Sequence, residues 1–191
     1  MEETILNAIK FGGREYLHRQ VLESEYVEFQ DPCDANGFAV LNIEKLESLI
    51  SYMAGKVKYL FKVRLMKMLW YCDVISYKRT GKAMTGLVYC HEPMGALPVG
   101  HQEIVNLENV NVNTLTGDNP DMIMYEFLPS ENADESKLSD GEKSIIDEVI
   151  KKFITYDSKK IIEYMHGETA YKETKDKEII PFSLAKDIRP F

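Results

Sequence analysis

No stretch of this chain is apolar for anything near the ~20 residues that a membrane-spanning helix needs, so no span is expected. Cysteine is scarce: Cys33, Cys72 and Cys90 are odd in number and widely spaced, a poor disulfide framework. The neighbours Cys90 and His91 have no second pair at zinc-site spacing, so neither a metal nor any other cofactor is expected. HExxH, GxSxG and Walker patterns are missing. Gly12-Gly13 is a lone pair, with no lysine and no preceding strand to make a phosphate loop. Internal repeats and low-complexity tracts are absent. The start, MEETILNAIKFGG, is acidic and has too few apolar residues for a signal peptide, which leads to the expectation of a cytoplasmic location.

What is present is the composition of a soluble globular protein: 45% hydrophobic and 28% charged residues over 191 positions. That length fits one domain, or one domain with an extension, and can bury a real core. The formal net charge of −8 argues against general affinity for nucleic acid. The charge is unevenly spread. Lys56 to Lys82 holds eight bases and one acid, Asp73, whereas Glu131 to Glu148 holds seven acids and two bases. Two readings stay open: a pair of solvated helix faces, or a patch that steers a charged partner.

Hydrophobic spacing organises the chain. Glu2 to Phe11 reads as a short helix ended by Gly12-Gly13. Arg14 to Gln30 supports either a helix or an irregular strand. Asp31 to Gly37 is rich in turn formers and marks the expected boundary between an N-terminal extension, residues 1–40, and the main domain, residues 41–191. Asn42 is a plausible N-cap for a helix through Ile43, Leu46, Leu49, Ile50 and Met53, ended by Gly55. A second amphipathic helix is expected from Lys62 to Lys78, with Leu65, Met68, Leu69, Cys72 and Ile75 as its stripe, Trp70 and Tyr71 widening it, and Gly81 as its stop. Ala83 to Tyr89 reads as a strand. The loop after it contains Pro93 and Pro98, which argue against a helix or a central strand. His101 to Leu107 reads as a short helix. Met122 to Phe127 alternates like a second strand that could pair with Ala83 to Tyr89. Ser130 to Lys137 is a polar loop. Ser139 and Glu142 form a capping-box pattern ahead of Ile145, Ile146, Val149, Ile150 and Phe153. Asp157 or Ser158 caps a further helix with Ile161, Ile162 and Met165 inside, ended by His166 and Gly167. A short helix is expected near Phe182 to Lys186. The fold class is α+β, mainly α-helical, with a helical core and a small antiparallel sheet.

Chemistry is sparse. Cys90, His91 and His166 are the residues from which a thiol enzyme could be built, yet nothing local activates the thiol. His166 sits where a helix ends, suited to capping it and bonding Glu168 or a backbone carbonyl, and Tyr171 is placed to pack against the same helix. Met94, Leu97 and Val99 lie on the proline-stiffened loop. They serve either to close the core or to meet a partner, because a stiff apolar loop loses little entropy on binding.

Two blocks of sequence resemble the Panacea, or SocA-like, antitoxin family. The first, FKVRLMKMLWYCDVISYKRTGKAMTGLVYCHEPMGALPVGHQEI, is similar to that family's "K-L-x-K-L-L-Y-x-x-D" helix, its "G-x-x-I-T-G-x-x-Y" turn and strand, and its Pro-x-Gly-Pro-x-Pro loop. Leu65, Lys67, Met68, Leu69, Tyr71 and Asp73 fill the helix positions; Gly81, Thr85, Gly86 and Tyr89 fill the turn and strand; Pro93 to Pro98 form the loop. The second block, Leu138 to Ile188, resembles the closing segment "S-x-x-L-x-x-x-x-H-x-E-x-A-W/Y", with Ser158, Ile161, His166, Glu168, Ala170 and Tyr171 in place. Ala96 stands where the family usually has proline, and Tyr171 where many members have Trp. The first 40 residues look too short for the helix-turn-helix domain that many members carry.

The resemblance implies a bacterial or phage protein, not an enzyme, that neutralises a cognate protein toxin by direct contact. Some members deliver the toxin to a protease, which makes a protease a second implied partner. Neither membrane nor nucleic acid is an expected partner. The residues expected to face the partner are Tyr89, His91, Met94, Leu97, His166, Glu168 and Tyr171. The alternatives are a small enzyme using Cys90 and His166, or a phage-encoded module aimed at a host protein.

Overall fold

The computed structural model describes residues 14–116 and 123–190. The helix expected at residues 2–11 lies outside them. The chain runs through α1 (Arg14–Glu25), α2 (Ile43–Lys56), β1 (Leu60–Phe61), α3 (Lys62–Thr80), β2 (Tyr89–Glu92), β3 (Gly95–Pro98), α4 (His101–Ile104), β4 (Asn111–Thr116), β5 (Ile123–Leu128), α5 (Asp140–Phe153), α6 (Ser158–His166) and α7 (Thr169–Lys172). Short 3₁₀ turns occupy Val27–Phe29, Asp34–Asn36, Glu135–Lys137 and Phe182–Asp187. The class is α+β and mainly helical, as the hydrophobic spacing indicates.

α3 is the axle. No glycine or proline interrupts it, and Gly81, at φ +80°, ends it by donating its N–H to the Tyr77 carbonyl. Every residue from Leu65 to Tyr77 is buried. The expected amphipathic stripe is therefore too narrow, since elements cover α3 all round, α5, α6, β3 and the Phe182–Asp187 turn among them. Trp70 packs edge-on against Tyr71, and Tyr71 meets Phe153 at 4.7 Å. Leu22 of α1 and Tyr26 are buried in the same core.

The caps follow the sequence closely. Asn42 accepts from the Lys45 N–H, Ser139 and Glu142 form the capping box, and Asp157 accepts from the Lys160 N–H. Gly55 does not stop α2, which continues to Lys56.

The strands depart from expectation. Residues 83–88 form no strand, because side chains and isolated bonds absorb their backbone groups: Thr85 N–H donates to Asp73, Leu87 N–H to Thr85 Oγ1, and Val88 N–H to Tyr26 Oη. Gly86, at φ +76°, lies against the Val40 backbone, where a Cβ would come within 2.4 Å. The proline-bracketed loop is itself a hairpin, β2 against β3, with Pro93 in the turn and Pro98 closing the register opposite Tyr89. β5 pairs with β4 and β1 in the antiparallel order β1-β5-β4, and not with residues 83–89.

Candidate functional site

The β2–β3 hairpin is held from beneath by buried polar contacts. Lys67 Nζ, on α3, donates to the Ala96 carbonyl at 2.8 Å. Burial lowers that ammonium to about 7, with Glu92 opposing the shift. Two turns further on, Asp73 accepts from Thr85 N–H at 2.7 Å, Thr85 Oγ1 at 2.6 Å and Tyr89 Oη at 2.7 Å. Burial pushes the Asp73 carboxyl up to about 6 despite these bonds. Burial, and then the neighbouring Asp73, raise Tyr89 well above the ordinary phenol range. Gly95, at φ +99°, lets the hairpin tip close onto α6, since a Cβ there would lie 2.7 Å from Met165 Cγ.

A second anchor joins the closing motif to α3. Glu168 is 1% exposed and accepts from Tyr71 Oη at 3.1 Å. Arg189 brings both its backbone N–H, at 3.1 Å, and its Nε, at 3.2 Å, to the same carboxylate. It also donates to the Tyr164 carbonyl and lies over the Tyr164 ring at 3.9 Å. His166 makes no bond to Glu168; the two point to different neighbours.

Between these anchors three rings form a stack. Tyr171 lies against His91 at 3.8 Å and 22° on one face, and against His166 at 4.5 Å and 11° on the other. Tyr171 Oη donates to the Glu92 carbonyl at 2.9 Å. Thr174 Oγ1 lies 3.0 Å from His91 Nδ1 and 2.9 Å from the Ala170 carbonyl, which ties the imidazole to the turn after α7. The outer edge of β2 is paired with the tail: His91 N–H donates to Glu178, and the Lys177 and Ile180 N–H groups donate to His91 and Tyr89. Lys177 meets Glu92 at 2.6 Å.

The seven residues expected to face a partner thus fall into two groups. Tyr89 and Glu168 are buried and hold the scaffold. His91, Leu97, His166 and Tyr171 are half-buried around the hairpin. Met94, at the turn, is 52% exposed, and Ile179 beside β2 is 38% exposed. The anchoring roles of Lys67, Asp73 and Thr85 were not legible in advance. The signal was there, since a lysine and an aspartate inside an apolar helical run ask for buried partners. Arg189 carried no signal at all.

The geometry offers little to a thiol enzyme. Burial and the nearby Glu92 push the Cys90 thiol up, away from the thiolate. Strand alternation turns Cys90 to the face opposite His91 and its ring stack. Among the described residues no group of three or more His, Cys, Asp or Glu side chains is placed to hold a metal ion. The two charge runs face each other: Lys56 reaches Asp147 at 2.7 Å and Arg79 reaches Glu148 at 2.6 Å. These pairs are exposed and worth about 0–1 kcal/mol each; their main effect is mutual neutralisation.

A family model described as "Antitoxin SocA-like, Panacea domain" matches residues 65–172, more than half of the chain. The match runs from the start of the buried part of α3 through the hairpin to α7. No curated protein matches the chain, and no solved structure does.

Proposed function

The chain belongs to the SocA-like antitoxin family, the Panacea-domain proteins, and from that premise we propose that it neutralises a cognate toxin by sitting on it, with the β2–β3 hairpin and the Tyr171 ring stack as the contact surface. One observation carries this reading. Four polar positions shared with the family pattern, Lys67, Asp73, Thr85 and Tyr89, form the buried support of a single hairpin whose apolar turn, Met94, faces solvent, and a fifth, Glu168, ties the adjoining closing motif to α3. A loop fixed in this way gives up little entropy on docking, and an exposed methionine at its turn suits an interface core. An ordinary interface of about 1,600 Å² would extend over Ile179, His91 and Tyr171 as well.

The test is co-expression with the product of the adjacent gene. The wild-type chain is expected to form a stoichiometric complex and restore growth. Met94→Asp is expected to weaken the complex at least about tenfold while leaving thermal unfolding unchanged. Full neutralisation by the Met94→Asp chain, or rescue by a transcript with an early stop codon, sinks the proposal. Occlusion leaves the toxin's cellular level unchanged, whereas delivery to a protease shortens its half-life, so a pulse-chase separates these two routes.

A further inference from the structure

Among the described residues, the outer edge of β4 is open along its whole length. The outer edge of β2 is bonded to the tail through the His91, Lys177 and Ile180 N–H groups. β3 lies against α3 and α6, with Lys67 Nζ on its Ala96 carbonyl. β1 is two residues long, too short to seat a strand. β4 ends the order β1-β5-β4, and among the described residues no backbone group bonds its side away from β5. Its register with β5 runs one to one over six pairs, without a bulge. Its sequence, NVNTLT, holds no proline and no charge. Asn111, Asn113, Thr114 and Thr116 are exposed. Edge strands are ordinarily kept from pairing by lysine, proline, a bulge or a covering segment. Among the described residues β4 has none of these.

We propose that β4 pairs antiparallel with β4 of a second copy of this chain, about a two-fold axis perpendicular to the sheet. Two three-stranded sheets then become one of six strands. The open row of backbone N–H and C=O groups sets the form of the occupant, an extended strand. Charge identifies that strand as the chain's own. Two copies that each carry −8 repel, so a self-contact has to lie on a neutral surface. The two-fold axis keeps each side chain on its own face and sets it opposite itself or a residue an even number of positions away. With the axis at Asn113, Asn113 meets its copy and Thr114 meets Val112. With the axis at Thr114, Thr114 meets its copy and Leu115 meets Asn113. Neither register opposes like charges, and each puts a polar pair, Asn with Asn or Thr with Thr, at the centre. A different partner has no need of this neutrality, and a charged edge would steer it better. Six residues a side, about 20 Å of strand, bury less than the ~1,200 Å² of a stable interface. The dimer is therefore expected to be weak. The β2–β3 hairpin belongs to the other sheet, so this contact does not rest on the toxin reading.

Sedimentation velocity of the full chain tests this. The wild type is expected to pass from monomer to dimer between about 1 and 200 μM. N113K/T114K sets lysine opposite lysine in either register and is expected to associate at least about tenfold more weakly. Its thermal unfolding in dilute solution should match the wild type, since an exposed edge tolerates lysine. N132K/T155K makes the same charge change at exposed positions off the sheet and is expected to dimerise as the wild type does. Hydrogen exchange needs no variant: residues 111–116 of the wild type should gain protection as concentration rises, and α2 and α5 should not. A wild type that stays monomeric throughout the range overturns the inference. So does a dimer that survives N113K/T114K, equal loss in the control pair, or concentration-dependent protection that spares residues 111–116. Protection of those residues only in a complex with the adjacent gene's product also overturns it, and gives the edge to that partner.

Discussion

Asp73 is fully buried, and its three hydrogen bonds do not return it to the ordinary carboxylate range. Its folded value of about 6 lies above the unfolded 3.8. Between those values the folded chain keeps a proton that the unfolded chain has lost. Its contribution to stability is therefore full below about pH 4 and falls as pH rises to about 6, by roughly 3 kcal/mol. Asp73→Asn is expected to fold and to lose this slope, which urea unfolding across that window measures; an unchanged slope would falsify the assignment. Asp73→Ala orphans the Thr85 N–H and two hydroxyls and is expected to cost about 3 kcal/mol. Asp73 stands out in the sequence as an acid in an apolar run, but its partners Thr85 and Tyr89 lie 12 and 16 residues on, and only the fold brings them to it.

Among the elements, most helices were readable, though α1 was open to helix and strand alike, and of the strands only β5 was legible, as Met122 to Phe127. α5 announced itself through Ser139, Glu142 and five apolar residues on one face, all information local to the fourteen-residue helix and its N-cap. The hairpin did not, because Pro93 and Pro98 discourage strand and its pairing is short, four residues to a side. It persists because α3 and α6 support it. Gly95→Ala tests that support. The added methyl meets Met165 and the backbone must hold φ near +99°, for an expected cost of about 1–2 kcal/mol. Hydrogen exchange at the β3 amides should accelerate, with α2 and α5 unaffected. Uniform protection across the hairpin would show that the tip is held by something else. The β4–β5 pairing escaped the sequence for a simpler reason: Asn111–Thr116 is mostly exposed and polar, with no buried face to leave a pattern.

At the scale of the molecule, the tail closes the structure. Arg189 sits 21 positions after Glu168 and shares that carboxylate with Tyr71 of the central helix. Arg189→Ala leaves a 1%-exposed carboxylate with the phenol and the backbone N–H of residue 189 but no cation, for an expected cost of about 3 kcal/mol in thermal or urea unfolding. Loss of the tail contact should also loosen β2, whose outer edge is paired with residues 177–180. A variant as stable as the wild type would mean that Glu168 finds other donors.

The sequence by itself determined most of the helical segments, their caps and the family to which the chain belongs, since each rests on spacing within a turn or two or on a short ordered motif; α1 and α7 it did not determine. It could not tell which of those motif residues hold the scaffold and which meet solvent. Tertiary structure decided that, because burial is a property of what packs around a residue. Tyr89 and Met94 are five positions apart on one hairpin, yet one lies in the core on Asp73 and the other lies at the turn.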